Sequence, residues 1–397
     1  MAKTIGEVSV DVHRKAGGKL GTYSKVPVKT SRDLSIAYTP GVAQVSLDVF
    51  NHPEQAFDLT LKKNSLAVIS DGSKVLGLGN LGALGAIPVM EGKCVLFKEL
   101  GGIDAFPICL DTQDEKKIIE TIRLIAPVFG AINLEDFVAP KCFRIEAALQ
   151  DLGIPVFHDD QHGTAIVVYA GLLNAAKVVN KPFSSLRVCI NGAGAAGNAV
   201  AKMLLGINVP HGFSRVKEVI LCDTKGIIYV GRKDLDSEKS SLAAKTNPRK
   251  LKGELKDALV DADVFIGVSV AGALKSEWIS SMSKKPIIFA LANPTPEIMP
   301  AVAKKAGAFI IATGRSDFPN QTNNALAFPG IFRGAMDARS TRISKRMQMA
   351  AAQTLAEMVS SPTPEKILPP LSDRTVASRI AVAVKKQAEK ENLSRVK

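Results

Sequence analysis

The 397-residue sequence predicts an α/β protein of two domains: a smaller N-terminal α/β domain with parallel strands, residues 1–162, and a C-terminal doubly wound domain ending in helices, residues 163–397. Three observations predict it. From about Leu66 short apolar runs alternate with amphipathic stretches, the pattern of βαβ units. The runs form two sets, separated by a long apolar helix over residues 163–179 that Asn180-Lys181-Pro182 stops. With 46% hydrophobic and 22% charged residues, a chain of this length can build two cores.

The first sixty residues carry little pattern apart from a turn at Tyr38-Thr39-Pro40-Gly41. Strands follow at residues 66–70, 105–110, 129–133 and 154–157, with helices at 115–126 and 140–151 between them. The second set of strands covers residues 186–191, 218–223, 263–269, 286–290 and 308–312. Helices through 347–358 and 376–391 close the chain, joined by a connector with Ser361-Pro362-Thr363-Pro364 and Leu368-Pro369-Pro370. The basic C-terminal tail is the one place where disorder is expected.

Composition excludes several classes. Five isolated cysteines, with no CxxC or CxxH spacing, read as reduced core residues of a cytoplasmic protein. The N-terminus has no apolar signal region, and no consecutive apolar run reaches the roughly 18 to 20 residues of a membrane span. The net charge of +13 raises nucleic-acid binding, but the lysines and arginines are dispersed and aromatics make up only 5%. No nucleic-acid or membrane partner is therefore expected, and the basic surface fits small polyanionic ligands.

Two acidic dipeptides, Glu135-Asp136 and Asp159-Asp160, each close an apolar run. If the runs are neighbouring parallel strands, these carboxylates converge at one sheet edge and repel one another unless a divalent cation holds them. An all-oxygen set suits Mg²⁺ or Mn²⁺. Two blander readings exist. Aspartates between a strand and a helix can be caps, and His158 and His162 could form a zinc pair only if both lay on one helical face.

Gly192-Ala193-Gly194-Ala195-Ala196-Gly197 stands between a strand and an apolar helix, the context of a Rossmann-type dinucleotide site. Its glycines permit a tight turn and close backbone approach to a pyrophosphate at the helix N-terminus. Asp223, at the end of the next strand, suits a ribose hydroxyl, although it lies further along than usual. Lys225 beside it suits a 2′-phosphate, so NAD or NADP is implied, NAD slightly ahead. Lys93 edges an apolar helical run. Such a lysine commonly snorkels, and desolvation can instead lower its pKa toward proton transfer. Ala292-Asn293-Pro294-Thr295 and the stretch around Asn323-Asn324 are turns after strands whose amides can hold a substrate or the nicotinamide carboxamide.

In combination these motifs resemble the malic enzymes of the short bacterial and archaeal type, from about Ser35 to Ala338. The resemblance rests on Ser35-Ile36-Ala37-Tyr38-Thr39-Pro40-Gly41, Val75-Leu76-Gly77-Leu78-Gly79-Asn80, Glu91-Gly92-Lys93, Asn133-Leu134-Glu135-Asp136, Asp159-Asp160 with Gly163-Thr164-Ala165, the glycine fingerprint, Ala292-Asn293-Pro294 and Asn323-Asn324 with Phe328-Pro329-Gly330. It implies a metal on Glu135, Asp136 and Asp160, and catalytic roles for Tyr38 and Lys93, with Asp159 pairing the lysine. It also implies substrate contacts from Asn293, Asn324 and Lys74, the last where larger relatives carry arginine. Thr164, Gly192, Gly194, Ala195, Ala196, Gly197, Asp223 and Asn293 are the expected dinucleotide contacts.

The implied reaction is oxidative decarboxylation of (S)-malate to pyruvate and CO₂ with NAD or NADP, oxaloacetate decarboxylation being a side activity and a homodimer the expected assembly. A redox-free oxaloacetate decarboxylase leaves the fingerprint unexplained, and a dinucleotide-sensing binding protein has no use for the carboxylates, Lys93 and Tyr38 together.

Overall fold

The computed structural model describes residues 3–209 and 212–396. The chain opens with α1 (Ile5–Ala16), α2 (Ser31–Ala37), α3 (Val42–Asn51) and α4 (Ala56–Leu59). Thr4 and Thr30 start the first two through reciprocal capping boxes. The turn expected at Tyr38-Thr39-Pro40-Gly41 joins α2 to α3. None of these four helices buries a residue.

The first sheet follows as β1 (Ser65–Ser70), α5 (Gly82–Gly101), β2 (Asp104–Cys109), α6 (Glu115–Ile125), β3 (Ala131–Leu134), α7 (Lys141–Ala148) and β4 (Val156–His158). Its strands are all parallel, in the order β2-β1-β3-β4. β1 and β3 are buried at every position, which is why they read as unbroken apolar runs. Ile118 and Ile122, four residues apart on α6, supply its buried stripe, and Asp114 caps it.

The long apolar helix, α8 (Asp159–Val179), begins directly after β4, four residues before the expected start at 163. Glu146 on α7 is the reason. Its carboxylate accepts hydrogen bonds from the His158 N–H, Gln161 Nε2 and the His162 ring, so the first turn is pinned as helix. Asp159 and Asp160 also stand where a helix N-terminus favours negative charge. Among the described residues α8 is the one helix long and apolar enough to cross a membrane, but 72% of the qualifying window is buried inside the protein. It packs on two later helices and belongs to a core cluster that continues from Leu66 and Met90 to Val188 and Val264.

The second sheet comprises β5 (Arg187–Asn191), α9 (Ala195–Leu204), β6 (Glu218–Asp223), β7 (Gly226–Ile227), α10 (Ser237–Ala243), α11 (Leu255–Leu259), β8 (Val264–Gly267), β9 (Ile287–Ala290), α12 (Pro300–Lys305) and β10 (Ile310–Thr313). The strand order is β10-β9-β8-β5-β6-β7, parallel except for β7. β7 has two residues, too few for a periodic signal.

Three helices complete the chain: α13 (Phe328–Asp337), α14 (Lys345–Glu357) and α15 (Thr375–Lys390). α13 was not among the expected helices, and it starts on Phe328-Pro329-Gly330, where proline and glycine weaken a helical signal. Proline is well tolerated in the first turn of a helix, and here Pro329 sits there. Gly330 and Gly334 let α15 approach closely. A Cβ on them would lie 2.7 Å from the Ala377 carbonyl oxygen and 2.4 Å from that of Ala381. Phe328 and Phe332 of α13 also pack on Phe97 of α5, at 4.6 and 5.3 Å between centroids, so C-terminal helices complete the core of the first sheet. The tail expected to be disordered is docked, with Leu393 packed on the core and Arg395 donating to the Arg339 carbonyl at 2.9 Å.

Candidate active site

A cavity of about 390 Å³ opens between the two sheets. Its lining comes largely from segments that follow strand carboxyl ends: Lys74 and Gly77 after β1, Glu135 and Asp136 after β3, Ser269 after β8, and Asn293 after β9. Ligands bind at this position in open α/β sheets because helix N-termini and loop amides gather there.

The parallel register of β3 and β4 sets Leu134 opposite His158, so Glu135-Asp136 and Asp159-Asp160 leave the sheet side by side. Glu135, Asp136 and Asp160 each offer a carboxylate oxygen, all within 4.8 Å of one another. Asp136 takes a left-handed backbone conformation, φ 56°, rare for a residue with a side chain. It is held there by the Lys74 N–H on its carbonyl at 3.0 Å and by its own N–H on Asp160 Oδ2 at 2.8 Å. Such strain persists only where the surroundings over-determine it.

The electrostatics of this trio call for a cation. Burial, reinforced by Asp160, pushes Asp136 up to about 7. Glu135 is raised well above the usual carboxylate range by burial, which with Asp160, Asp159 and Asp136 outweighs the opposing charge of Lys93. Asp136 Oδ2 is buried without a hydrogen-bond partner. All-oxygen donors, crowded like charges and an orphaned carboxylate oxygen fit a hard divalent cation.

Lys93 lies on α5, buried, with Nζ 2.6 Å from Asp159 Oδ2 and 2.8 Å from Glu135 Oε1, and 4.3 Å from the centre of the Phe328 ring. It does not snorkel. Desolvation alone would lower its pKa, as the sequence suggested, but the facing carboxylates of Asp159, Glu135 and Asp160 win, and the ammonium form is strengthened. Asn324 Nδ2 donates to the same Asp159 oxygen at 2.5 Å. Gly163 makes room for this carboxylate, since a Cβ there would fall 1.9 Å from Asp159 Oδ1.

The two histidines do not form a pair. The His162 ring binds Glu146 at 2.9 Å, while His158 is fully buried with its Nε2 3.5 Å from Asp160 Oδ2. Glu146 is itself held low, at about 2: burial pushes it up, but His162, His158 and Lys345 outweigh burial.

The glycine fingerprint forms the turn from β5 into α9. Gly192 has φ 119°, and no atom lies within 4 Å of the Cβ position at Gly194, leaving space above the first turn of α9. Asn198 Nδ2 binds the carbonyls of Ala193 and Gly194 and holds the loop open. The shape fits a pyrophosphate. At Gly197 a Cβ would lie 1.7 Å from the Gly192 carbonyl oxygen. Gly197→Ala is therefore expected to weaken NADH or NADPH binding by at least about tenfold, a loss of roughly 1.4 kcal/mol. Fluorescence titration checks this, and unchanged affinity would remove the loop from the binding site.

The other predicted residues divide. Lys74, Thr164, Ala196, Asn293 and Asn324 line the cavity with the carboxylate trio and Lys93. Asp223 does not, and its carboxylate is taken by Arg232 at 2.6 Å and Lys239 at 3.0 Å, with the Lys225 N–H on Oδ1. The end of β6 thus combines one acid with several cations. Tyr38 is also absent from the lining. It caps α2 and is 70% exposed.

Sequence reasoning missed Glu146, Phe328 and Asn133, whose amide donates to Glu135 Oε2 at 2.9 Å. Asn133 carried a usable signal, a polar residue inside an apolar strand run. Glu146 looked like any polar position on an amphipathic helix.

The family model for the malic enzyme N-terminal domain matches residues 17–150, and that for the malic enzyme NAD binding domain matches residues 161–389. The chain belongs to the malic enzyme family. Among malic enzymes, it is 51% identical to the bifunctional malic/malolactic enzyme of Bacillus subtilis, covering 99% of this chain and 95% of that protein. It is 46% identical to the NADP-dependent malic enzyme of Halomonas elongata, covering 91% and 84%. The crystal structure of the NAD-dependent malic enzyme of Thermotoga maritima superposes with a TM-score of 0.90 at 49% identity, over 95% and 98% of the two chains.

Proposed function

We propose that this chain catalyses the oxidative decarboxylation of (S)-malate to pyruvate and CO₂ with reduction of NAD or NADP, Mg²⁺ or Mn²⁺ being held by Glu135, Asp136 and Asp160. One observation carries the reading: the carboxylate trio, Lys93 with Asp159 bound behind it, and Ala196 in the first turn of α9 meet at a single cavity. When bound, the cation supplies Lewis acidity and the nicotinamide a hydride acceptor.

On this reading the carboxylate field that holds Lys93 as an ammonium is offset once Glu135, Asp136 and Asp160 hold the cation, and the neutral amine, aimed by Asp159, takes the proton of the C2 hydroxyl. Asn293, Asn324 and Lys74 orient the substrate by hydrogen bonds and charge, and Thr164 with the residue 192–197 loop seats the dinucleotide. Tyr38 protonates C3 after CO₂ departs. Oxaloacetate decarboxylation is a side activity, because it needs these groups without hydride transfer. Steady-state assay of malate with both dinucleotides and both metals tests the proposal: pyruvate and reduced nicotinamide should form together. No turnover in any combination would sink it.

The proposal includes a homodimer. It is supported by the apolar side chains on the N-terminal helices, among them Ile5, Ile36 and Phe50, exposed by 86%, 64% and 81%. Tyr38 lies on the same arm, so covering that face is the step that would bring the tyrosine to a cavity. Phe50→Asp is accordingly expected to yield a monomer in sedimentation and to lose turnover. A wild-type protein that is monomeric at full activity overturns the dimer. Residues 1–162 and 163–397 are proposed as the two domains and the cytoplasm as the compartment, the latter supported by five free cysteines.

A further inference from the structure

Glu297 is a charged side chain with no exposed surface and no salt bridge among the described residues. It stands five residues beyond Ala292, outside the cavity lining, and its carboxylate is spent on backbone. Oε1 accepts from the Ser269 N–H at 2.8 Å and the Ser269 hydroxyl at 3.3 Å, and Oε2 accepts from the Ala292 N–H at 3.0 Å. Asn191 Nδ2 binds the same Ser269 hydroxyl at 2.9 Å. Asn191 ends β5, Ser269 follows β8 and Ala292 follows β9, so the carboxylate ties the carboxyl ends of β8 and β9 directly and reaches that of neighbouring β5 through the Ser269 hydroxyl.

The backbone is shaped around this group. A Cβ on Gly267 would sit 2.4 Å from Glu297 Cδ. Beyond Ala292 the chain is confined on two sides. Cβ atoms on Gly77 and Gly314 would lie 2.0 Å from the Asn293 carbonyl oxygen and 2.9 Å from its amide nitrogen. Ser269, Ala292 and Asn293 all face the cavity.

We propose that Glu297 is the positioning residue of the dinucleotide side of the cavity, holding the Ser269 and Ala292-Asn293 segments in register so that their polar groups meet the cofactor. The inference rests on the dinucleotide reading given above. A buried carboxylate is costly to desolvate, and burial raises its pKa despite the N–H groups it accepts from. An amide of the same shape is cheaper to bury but has one acceptor oxygen. Both carboxylate oxygens are used here, so a glutamine can serve one segment and must turn an N–H₂ toward a donor on the other.

Glu297→Gln is therefore expected to raise the KM for NAD or NADP by about tenfold or more, a change of roughly 1.4 kcal/mol, with kcat lowered less. Mn²⁺ affinity, which reads the carboxylate trio, should stay at the wild-type value. Gly267→Ala, which pushes the carboxylate aside without removing it, should give the same pattern. It also serves as the second test if the glutamine variant folds poorly. A lowered Tm with an unchanged dinucleotide KM in either folded variant overturns the assignment, because a purely structural brace acts that way. Failure of the wild-type protein to bind NADH or NADPH in a fluorescence titration overturns the dinucleotide reading itself.

Discussion

Lys93→Ala is expected to lower kcat by about 10²- to 10⁴-fold, the range general acid–base catalysis supplies, while the affinities for dinucleotide and metal change little. The substitution also removes the counter-ion of Asp159, whose carboxylate is fully buried. Breaking a buried pair from one side costs about 3–5 kcal/mol, so the variant should melt lower. The two effects can be separated. Lys93→Met combined with Asp159→Asn removes this pair from both sides and leaves Glu135 to the bound cation, so in the presence of Mn²⁺ it should recover much of the Tm without recovering turnover. Turnover near the wild-type value in Lys93→Ala, or turnover that returns with the Tm in the double variant, would reduce Lys93 to a structural cation.

Asp160→Asn should move stability and activity in opposite directions. Asp160 raises the protonation of both Glu135 and Asp136, so removing its charge relieves repulsion in the metal-free protein and should raise its Tm. Mn²⁺ affinity should fall by at least about a hundredfold, since losing an outer partner alone costs about 10- to 100-fold. Malate turnover should fall with it. Calorimetric titration with Mn²⁺ beside thermal melts reads both signs, and unchanged metal affinity would exclude Asp160 as a ligand.

Much of this site was legible before any coordinates. Glu135-Asp136 and Asp159-Asp160 stood at the ends of apolar runs, and β3 and β4 are neighbours in parallel register, so the convergence of their carboxylates followed from strand order. The fingerprint was equally plain, because a strand, a glycine turn and an apolar helix are contiguous in sequence. Elements failed to show where they were short, as with β7, or where a local signal opposed the fold, as with the Phe328-Pro329-Gly330 start of α13. The start of α8 was misplaced because Glu146, thirteen residues before Asp159, pins its first turn.

The sequence by itself determined the two sets of βαβ units, the two acidic dipeptides at the ends of apolar runs and the glycine turn between strand and helix, since each depends on periodicity or on residues close along the chain. Only the tertiary structure decided that Lys93 is surrounded by carboxylates and kept charged, that Asp223 is tied to Arg232 and Lys239, that Tyr38 lies outside the cavity of its own chain, and that Glu297 braces three strand ends. Those facts depend on groups brought together from distant parts of the chain. The balance of burial and charge that governs a titratable side chain is settled by such neighbours, which local pattern does not encode.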